Sequence, residues 1–201
     1  IRERLDELGR ELRIRVPVYC LVTKCDLIAG FAEFFDDIGQ EARSQVWGMT
    51  FPIEATESGG AAAAFAPEFD GLIGRLQQRV LARLDAERDP RRRAGILAFP
   101  QQVSLLKPLL EDLLKRVFTA SGFDRPVLLR GVYFTSGTQE GSPIDRMLGA
   151  IARNFGVTSA VARPAAGRGR AYFIERLLQG VIFRESGLAG VNRALQARLI
   201  V

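Results

Sequence analysis

Arg15-Val16-Pro17-Val18-Tyr19-Cys20-Leu21-Val22-Thr23-Lys24-Cys25-Asp26 is the stretch on which the fold turns. Val16, Val18, Leu21 and Val22, with Tyr19 and Cys20 among them, make a short, nearly continuous β-branched and apolar run. It follows a charged helical segment and precedes a polar turn, a context that predicts a buried strand of a parallel sheet. Ligands of open α/β sheets bind beyond the carboxyl ends of strands, which is where Thr23 to Asp26 would lie.

That turn has the form [Asn/Thr]-Lys-x-Asp, the base-recognition element of GTPase-type P-loop proteins. An aspartate two residues after the lysine can accept two hydrogen bonds from guanine N1 and its exocyclic amine. An ionised carboxylate is acceptor-only, so it favours guanine over adenine. The lysine stem can lie along the base while its ammonium ties neighbouring loops, and the threonine hydroxyl can pin the loop backbone. Thr23, Lys24 and Asp26 are therefore the candidate base-recognition residues. The alternative is a lysine and an aspartate that cap a strand end in water.

Composition narrows the function classes. A chain of 201 residues, 47% hydrophobic, can bury a sizeable core as one large or two small domains. The net charge of +5 permits contact with acidic headgroups or an acidic partner without demanding nucleic acid, and no nucleic-acid-reading motif accompanies it. The sequence has no histidine, which excludes His-based metal sites, Ser-His-Asp triads and Cys-His dyads within it. Cys20 and Cys25, read as lying on one strand roughly 16 Å apart, cannot pair with each other, and a reduced compartment is the simpler reading. No apolar run approaches the length of a membrane span and no signal peptide is evident. The chain opens at Ile1 inside a charged helical pattern, which reads as a piece of a longer protein.

In chain order, Ile1, Leu5, Leu8 and Leu12 mark one face of a helix over 1–13. Phe31, Phe34, Phe35 and Ile38 form a second apolar helical face, a core stripe or a ligand-binding one, and Gly39 separates it from another short helix. Gly48 to Pro52 reads as a short strand or an extended connector. The small-residue segment Ser58 to Pro67 lacks periodicity and predicts a flexible surface loop. A helix follows from Glu68 to Glu87, with Phe69, Leu72, Ile73, Leu76, Val80 and Leu84 in step. Arg88 and Arg91 to Arg93, at or beyond its end, suit the helix dipole or offer a contact to lipid or a partner.

If Thr23 to Asp26 is a base-recognition loop, a P-loop fold requires one more helix and then one more strand. Ile96-Leu97-Ala98-Phe99 is ambiguous as a bare pattern, but after the helix from Glu68 it fills the strand position in the right order, which turns Pro100-Gln101-Gln102 toward the base. A GTPase often has Ser-Ala there, so this departure counts against guanine. Val103 to Phe118 predicts a long helix that Pro108 kinks or restarts. Val127 to Phe134 is the second clear strand, and the polar segment Thr135 to Gly141 after it is a strand-to-helix connection, a ligand loop or a partner epitope. Ser142-Pro143-Ile144-Asp145 has the form of a helix start closed by Gly156. Thr158 to Arg170 reads as a linker, Tyr172 to Phe183 as a helix, and Val191 to Val201 as weakly amphipathic. There is no Gly-x-x-x-x-Gly-Lys-[Ser/Thr], so any phosphate cradle and magnesium ligands lie outside this sequence.

The segment from Val16 to Phe35 resembles the cytoplasmic domain of the IcmF/TssM family, the large inner-membrane components of type VI secretion systems. The resemblance continues through Gln45 to Pro52, Gly131 to Gly141, Tyr172-Phe173 and Val181 to Gly190, nearly the whole chain. It implies an α/β fold: a partial P-loop NTPase-like parallel sheet flanked by helices, with a C-terminal helical extension. Residues 1–156 would be the carboxyl-terminal part of the NTPase-like domain, and 157–201 a linker and helical extension leading toward the membrane. The implied role is structural, at the cytoplasmic face of the bacterial inner membrane, docking the inner-membrane subunit TssL and the baseplate component TssK in an oligomeric assembly. Arg168, Arg170 and Arg184 would then lie near anionic headgroups. The alternative is an NTP-hydrolysing switch, with GTP or ATP and Mg held by the parent protein and no cofactor held by this chain alone.

Overall fold

The computed structural model describes residues 1–12, 16–58, 60–118, 127–137 and 170–188. Helix α1 (Arg2–Leu12) leads to strand β1 (Pro17–Val22), and a single tight helical turn at Cys25–Leu27 follows. Short helices α2 (Phe31–Phe35) and α3 (Gln40–Ser44) are separated at Gly39, as the sequence predicts. Then come β2 (Gly48–Thr50), α4 (Ile53–Glu57), α5 (Ala61–Ala86), α6 (Pro90–Ser104), α7 (Leu106–Phe118), β3 (Leu128–Phe134), β4 (Ser136–Gly137) and β5 (Ala171–Tyr172).

The principal sheet has the order β1-β3-β2, with β1 parallel and β2 antiparallel to the central strand. The expected parallel sheet is thus mixed among the described residues: Gly48 to Thr50 is a strand, and it runs against β3. All seven residues of β3 are buried, as a near-continuous apolar strand in the middle of a sheet should be, whereas β1 is only half-buried. Between Val18 and Tyr19 the register slips past Arg130, so that Tyr19 lies opposite Gly131. This bulge leaves Arg130 as an extra residue in the central strand. Gly131 has no side chain because a Cβ there would stand 2.3 Å from the Met49 carbonyl of β2.

Val132, Phe134 and Met49 face a core built by Phe31, Phe34, Phe35, Trp47, Phe65, Phe69 and Phe99. The Phe stripe of α2 is therefore core. Phe99 lies among four rings, with centroids 6.0 Å from Phe31, 4.8 Å from Phe34, 5.4 Å from Phe35 and 6.2 Å from Trp47. Residues 170–188 also contribute, since Tyr172 and Phe173 join this cluster.

Two expectations are overturned here. Ile96 to Phe99 is not a strand: it lies inside α6, whose buried residues Ile96, Phe99, Pro100 and Val103 repeat at helical spacing. Asp89 caps that helix by accepting a 2.8 Å bond from the Arg91 amide, and Pro90 occupies the first helical position. Pro100-Gln101-Gln102 therefore forms no loop, and Pro100 is buried in the helix. The segment before Pro67 is helical as well. Ala61 to Ala64 are strong helix formers, and the burial of Ala61, Phe65 and Phe69 offsets the backbone bond that Pro67 removes.

Pro108 marks a restart, because α6 ends at Ser104 and Pro108 lies in the first turn of α7. Arg93 donates to the carbonyls of Leu84 and Glu87, satisfying the carboxyl end of α5, while Arg92 bonds Glu87 and Asp36 at 2.7 Å each. The basic cluster thus closes one helix and ties α6 to α2. Tyr172, expected to open a helix, is paired in β5. The chain turns at Phe173 with φ 64° and becomes helical only from Glu175, continuing as one π turn over Leu178–Ile182 and a 3₁₀ turn over Arg184–Leu188. The predicted helix from Ser142, the body of the linker from Thr158, and the amphipathic end from Val191 lie outside the described residues.

Candidate functional site

The carboxyl ends of β1 and β3 lie side by side because the two strands are parallel, and the candidate site forms there. Thr23 and Lys24 are exposed immediately beyond β1. Lys24 takes the left-handed conformation, φ 59° and ψ 38°, which turns the chain sharply into the Cys25–Leu27 turn. Cys25 thus lies beyond the strand, not on it with Cys20, and both cysteines are free. Its thiol donates to the Val22 carbonyl at 3.4 Å, and burial pushes its pKa up to about 12.

Two backbone bonds clamp this loop to the end of β3. The Cys25 amide donates to the Thr135 carbonyl at 3.2 Å, and the Thr135 amide donates to the Val22 carbonyl at 2.9 Å. Ser136, buried at 1% exposure, donates its hydroxyl to Asp26 Oδ1. The structure brings Thr23, Lys24 and Asp26 together on one short loop, with Asp26 partly buried and the other two open to solvent. The segment facing them is Thr135-Ser136-Gly137, not Pro100 to Gln102. Sequence alone does not identify Ser136 as the partner of Asp26, although it lies in the polar segment after β3 that reads as a connection, a ligand loop or a partner epitope.

A second polar constellation lies away from the helix-packed core. Arg130, only 4% exposed, reaches Glu185 through Nε to Oε2 at 2.9 Å and Nη2 to Oε1 at 2.7 Å. It also donates to the Phe51 carbonyl at 2.7 Å and to Thr56 Oγ1 at 3.2 Å. The Tyr19 hydroxyl adds a 2.8 Å bond to Glu185 Oε2. Bonding from Arg130, with that from Tyr19, holds the Glu185 carboxyl below its ordinary range, whereas burial and the Glu185 contact push the Tyr19 phenol up. An arginine inside the apolar run Val127 to Phe134 was the sequence signal for such a partner. Among the described residues, no group of three His, Cys, Asp or Glu could hold a metal ion, and no helix is long and apolar enough to cross a membrane.

Residues 1–200 match the family described as the IcmF-related N-terminal domain. The chain is also 46% identical over 199 residues to the type VI secretion system component TssM1 of Pseudomonas aeruginosa. That match covers 98% of this chain and 18% of the relative, so the chain spans about a fifth of the length of the protein it resembles. No solved structure matches it. With a family match that runs from the first residue to the penultimate one, this chain belongs to the IcmF-related N-terminal domain family.

Proposed function

We propose that this chain serves a type VI secretion system as an assembly part, a folded piece of a larger subunit whose work is to hold neighbours in place. The observation that carries this reading is the 46% identity to a type VI secretion component across 98% of the chain. On this reading the parent protein sits at the cytoplasmic face of the bacterial inner membrane, within an oligomeric complex. Its docking partners would be the inner-membrane subunit TssL and the baseplate component TssK.

A second reading is favoured by one arrangement: Thr23, Lys24 and Asp26 gathered beyond the end of a parallel strand, with Ser136 fixing one carboxylate oxygen of Asp26. In it the fold is P-loop NTPase-like, and the loop reads the base of GTP or ATP whose phosphates and Mg are held by residues outside this chain. Calorimetric titration of GTP-Mg and ATP-Mg into the parent's cytoplasmic domain, beside an Asp26→Ala variant, separates the two. Absence of binding by either nucleotide supports the assembly role alone. GTP binding that disappears in the variant makes the loop a working base reader and promotes the switch.

A further inference from the structure

Among the described residues, the sheet β1-β3-β2 ends in two unlike edges. β2 is three residues long, and a short edge strand is one way a protein keeps a sheet from growing. β1 has none of the usual protections. Its six residues, Pro17 to Val22, include no charged side chain, and the extra residue of the bulge belongs to β3. So continuous an apolar run suits a strand inside a covered sheet, yet β1 is half-buried and Leu21 is 42% exposed. The pairing with β3 shows which backbone groups are left over. The Val22 carbonyl accepts from the Thr135 amide, so Val22, Cys20 and Val18 turn their N–H and C=O groups toward β3. Tyr19 and Leu21 alternate with them and turn theirs the other way, where no backbone group of the described residues meets them. Pro17 faces that side too and has no N–H to leave unpaired.

We propose that the open edge of β1 docks one further β-strand, supplied by a segment of the same subunit outside residues 1–201. Donors and acceptors alternating along an extended edge are matched by another extended backbone, and the apolar side chains of β1 give the incoming strand neighbours on the sheet faces. The source follows from length: the matched region is 18% of TssM1, which leaves ample chain to supply a strand, and a tethered strand pairs at high effective concentration. The inference rests on the reading of this chain as a piece of a larger subunit. One end of the docked strand lies beside Thr23 and Lys24, both exposed just beyond β1, so the outside segment walls the candidate site on that side.

Amide hydrogen exchange resolved to single residues, on the full-length subunit, tests the docking. The Tyr19 and Leu21 amides should exchange within about tenfold of those of Cys20 and Val22, which bond β3. Exchange at Tyr19 and Leu21 more than about tenfold faster than at those two would overturn it. A photo-cross-linking p-benzoylphenylalanine at position 21, in a mixture of isotopically labelled and unlabelled subunits, identifies the occupant. The expected product joins position 21 to a peptide of the same subunit outside residues 1–201. A link confined to residues 1–201, a link between two subunits, or protected amides with no link at all assigns the edge to something else, and the proposal fails. The mass of the native subunit is a separate check. A mass near 22.2 kDa refutes the larger-subunit reading itself, whereas a larger mass with unprotected amides refutes only the docking.

Discussion

The helical conformation of Ile96 to Phe99 within α6 carries a sharp test at Phe99. In a strand, Leu97 and Phe99 would share one face; in α6, Phe99 is fully buried and Leu97 is 64% exposed. Phe99→Ala removes a ring from the middle of a cluster in which four other rings lie with centroids 4.8–6.2 Å away. A buried Phe→Ala change costs about 3–5 kcal/mol, which for a domain of this size lowers Tm by roughly 6–20 °C. Leu97→Ala should change stability by no more than about 0.5 kcal/mol. Trp47, the sole tryptophan, lies 6.2 Å from Phe99, so its fluorescence during urea unfolding reports directly on the site. Equal losses at the two positions, or a loss at Phe99 below about 1 kcal/mol, would refute the helical placement of this segment.

Other outcomes follow from the same packing. Gly30→Ala should destabilise by at least about 1–3 kcal/mol, since φ is +86° and a Cβ would stand 2.3 Å from the Gly95 carbonyl. Gly74→Ala, in the interior of α5 with open space around it, should stabilise by about 0.5–1 kcal/mol, so the two midpoints in urea should move in opposite directions. Because Glu185 has a depressed pKa when folded, its contribution is present above its ordinary value of 4.5 and is lost as pH falls through the lower folded value. The Tm advantage of wild type over Glu185→Gln should therefore hold at pH 6 and shrink progressively below 4.5; a gap that widens on acidification would contradict the sign. Cys25, 1% exposed with its pKa raised to about 12 from 9.0, should have a thiolate fraction lower by roughly three orders of magnitude than an ordinary thiol. Iodoacetamide at pH 8 should leave it unlabelled in the folded protein and label it in urea, as read by peptide mass.

Both long strands were legible in the sequence, because runs of β-branched residues such as Val16 to Val22 and Val127 to Phe134 have few other uses. Gly39 and Pro108 likewise marked breaks that the structure contains, since each limits what the backbone can do locally. Ile96 to Phe99 is apolar enough for a strand, but Asp89-Pro90 upstream is a helix start with a mechanism of its own, and it decides the segment. At Ser58 to Pro67, the proline and glycines outweighed four alanines, and only the burial of Phe65 reverses that balance. The site was half visible. Thr23, Lys24 and Asp26 are close in sequence, whereas Ser136 lies 110 residues from Asp26 and Glu185 lies 166 residues from Tyr19. Local pattern contains no record of which distant side chain satisfies a buried arginine or aspartate.

The order of the sheet also has a consequence for how the protein is made. β1 leaves the ribosome more than a hundred residues ahead of β3, its only strand partner among the described residues, and Tyr19 waits still longer for Glu185. Pairings so distant close large loops late, so β1 waits for β3 while α5, α6 and α7 emerge. Synthesis at about 5–20 residues per second keeps that strand waiting for roughly 5–20 seconds, long enough for chaperones to determine whether it reaches β3 or another chain first.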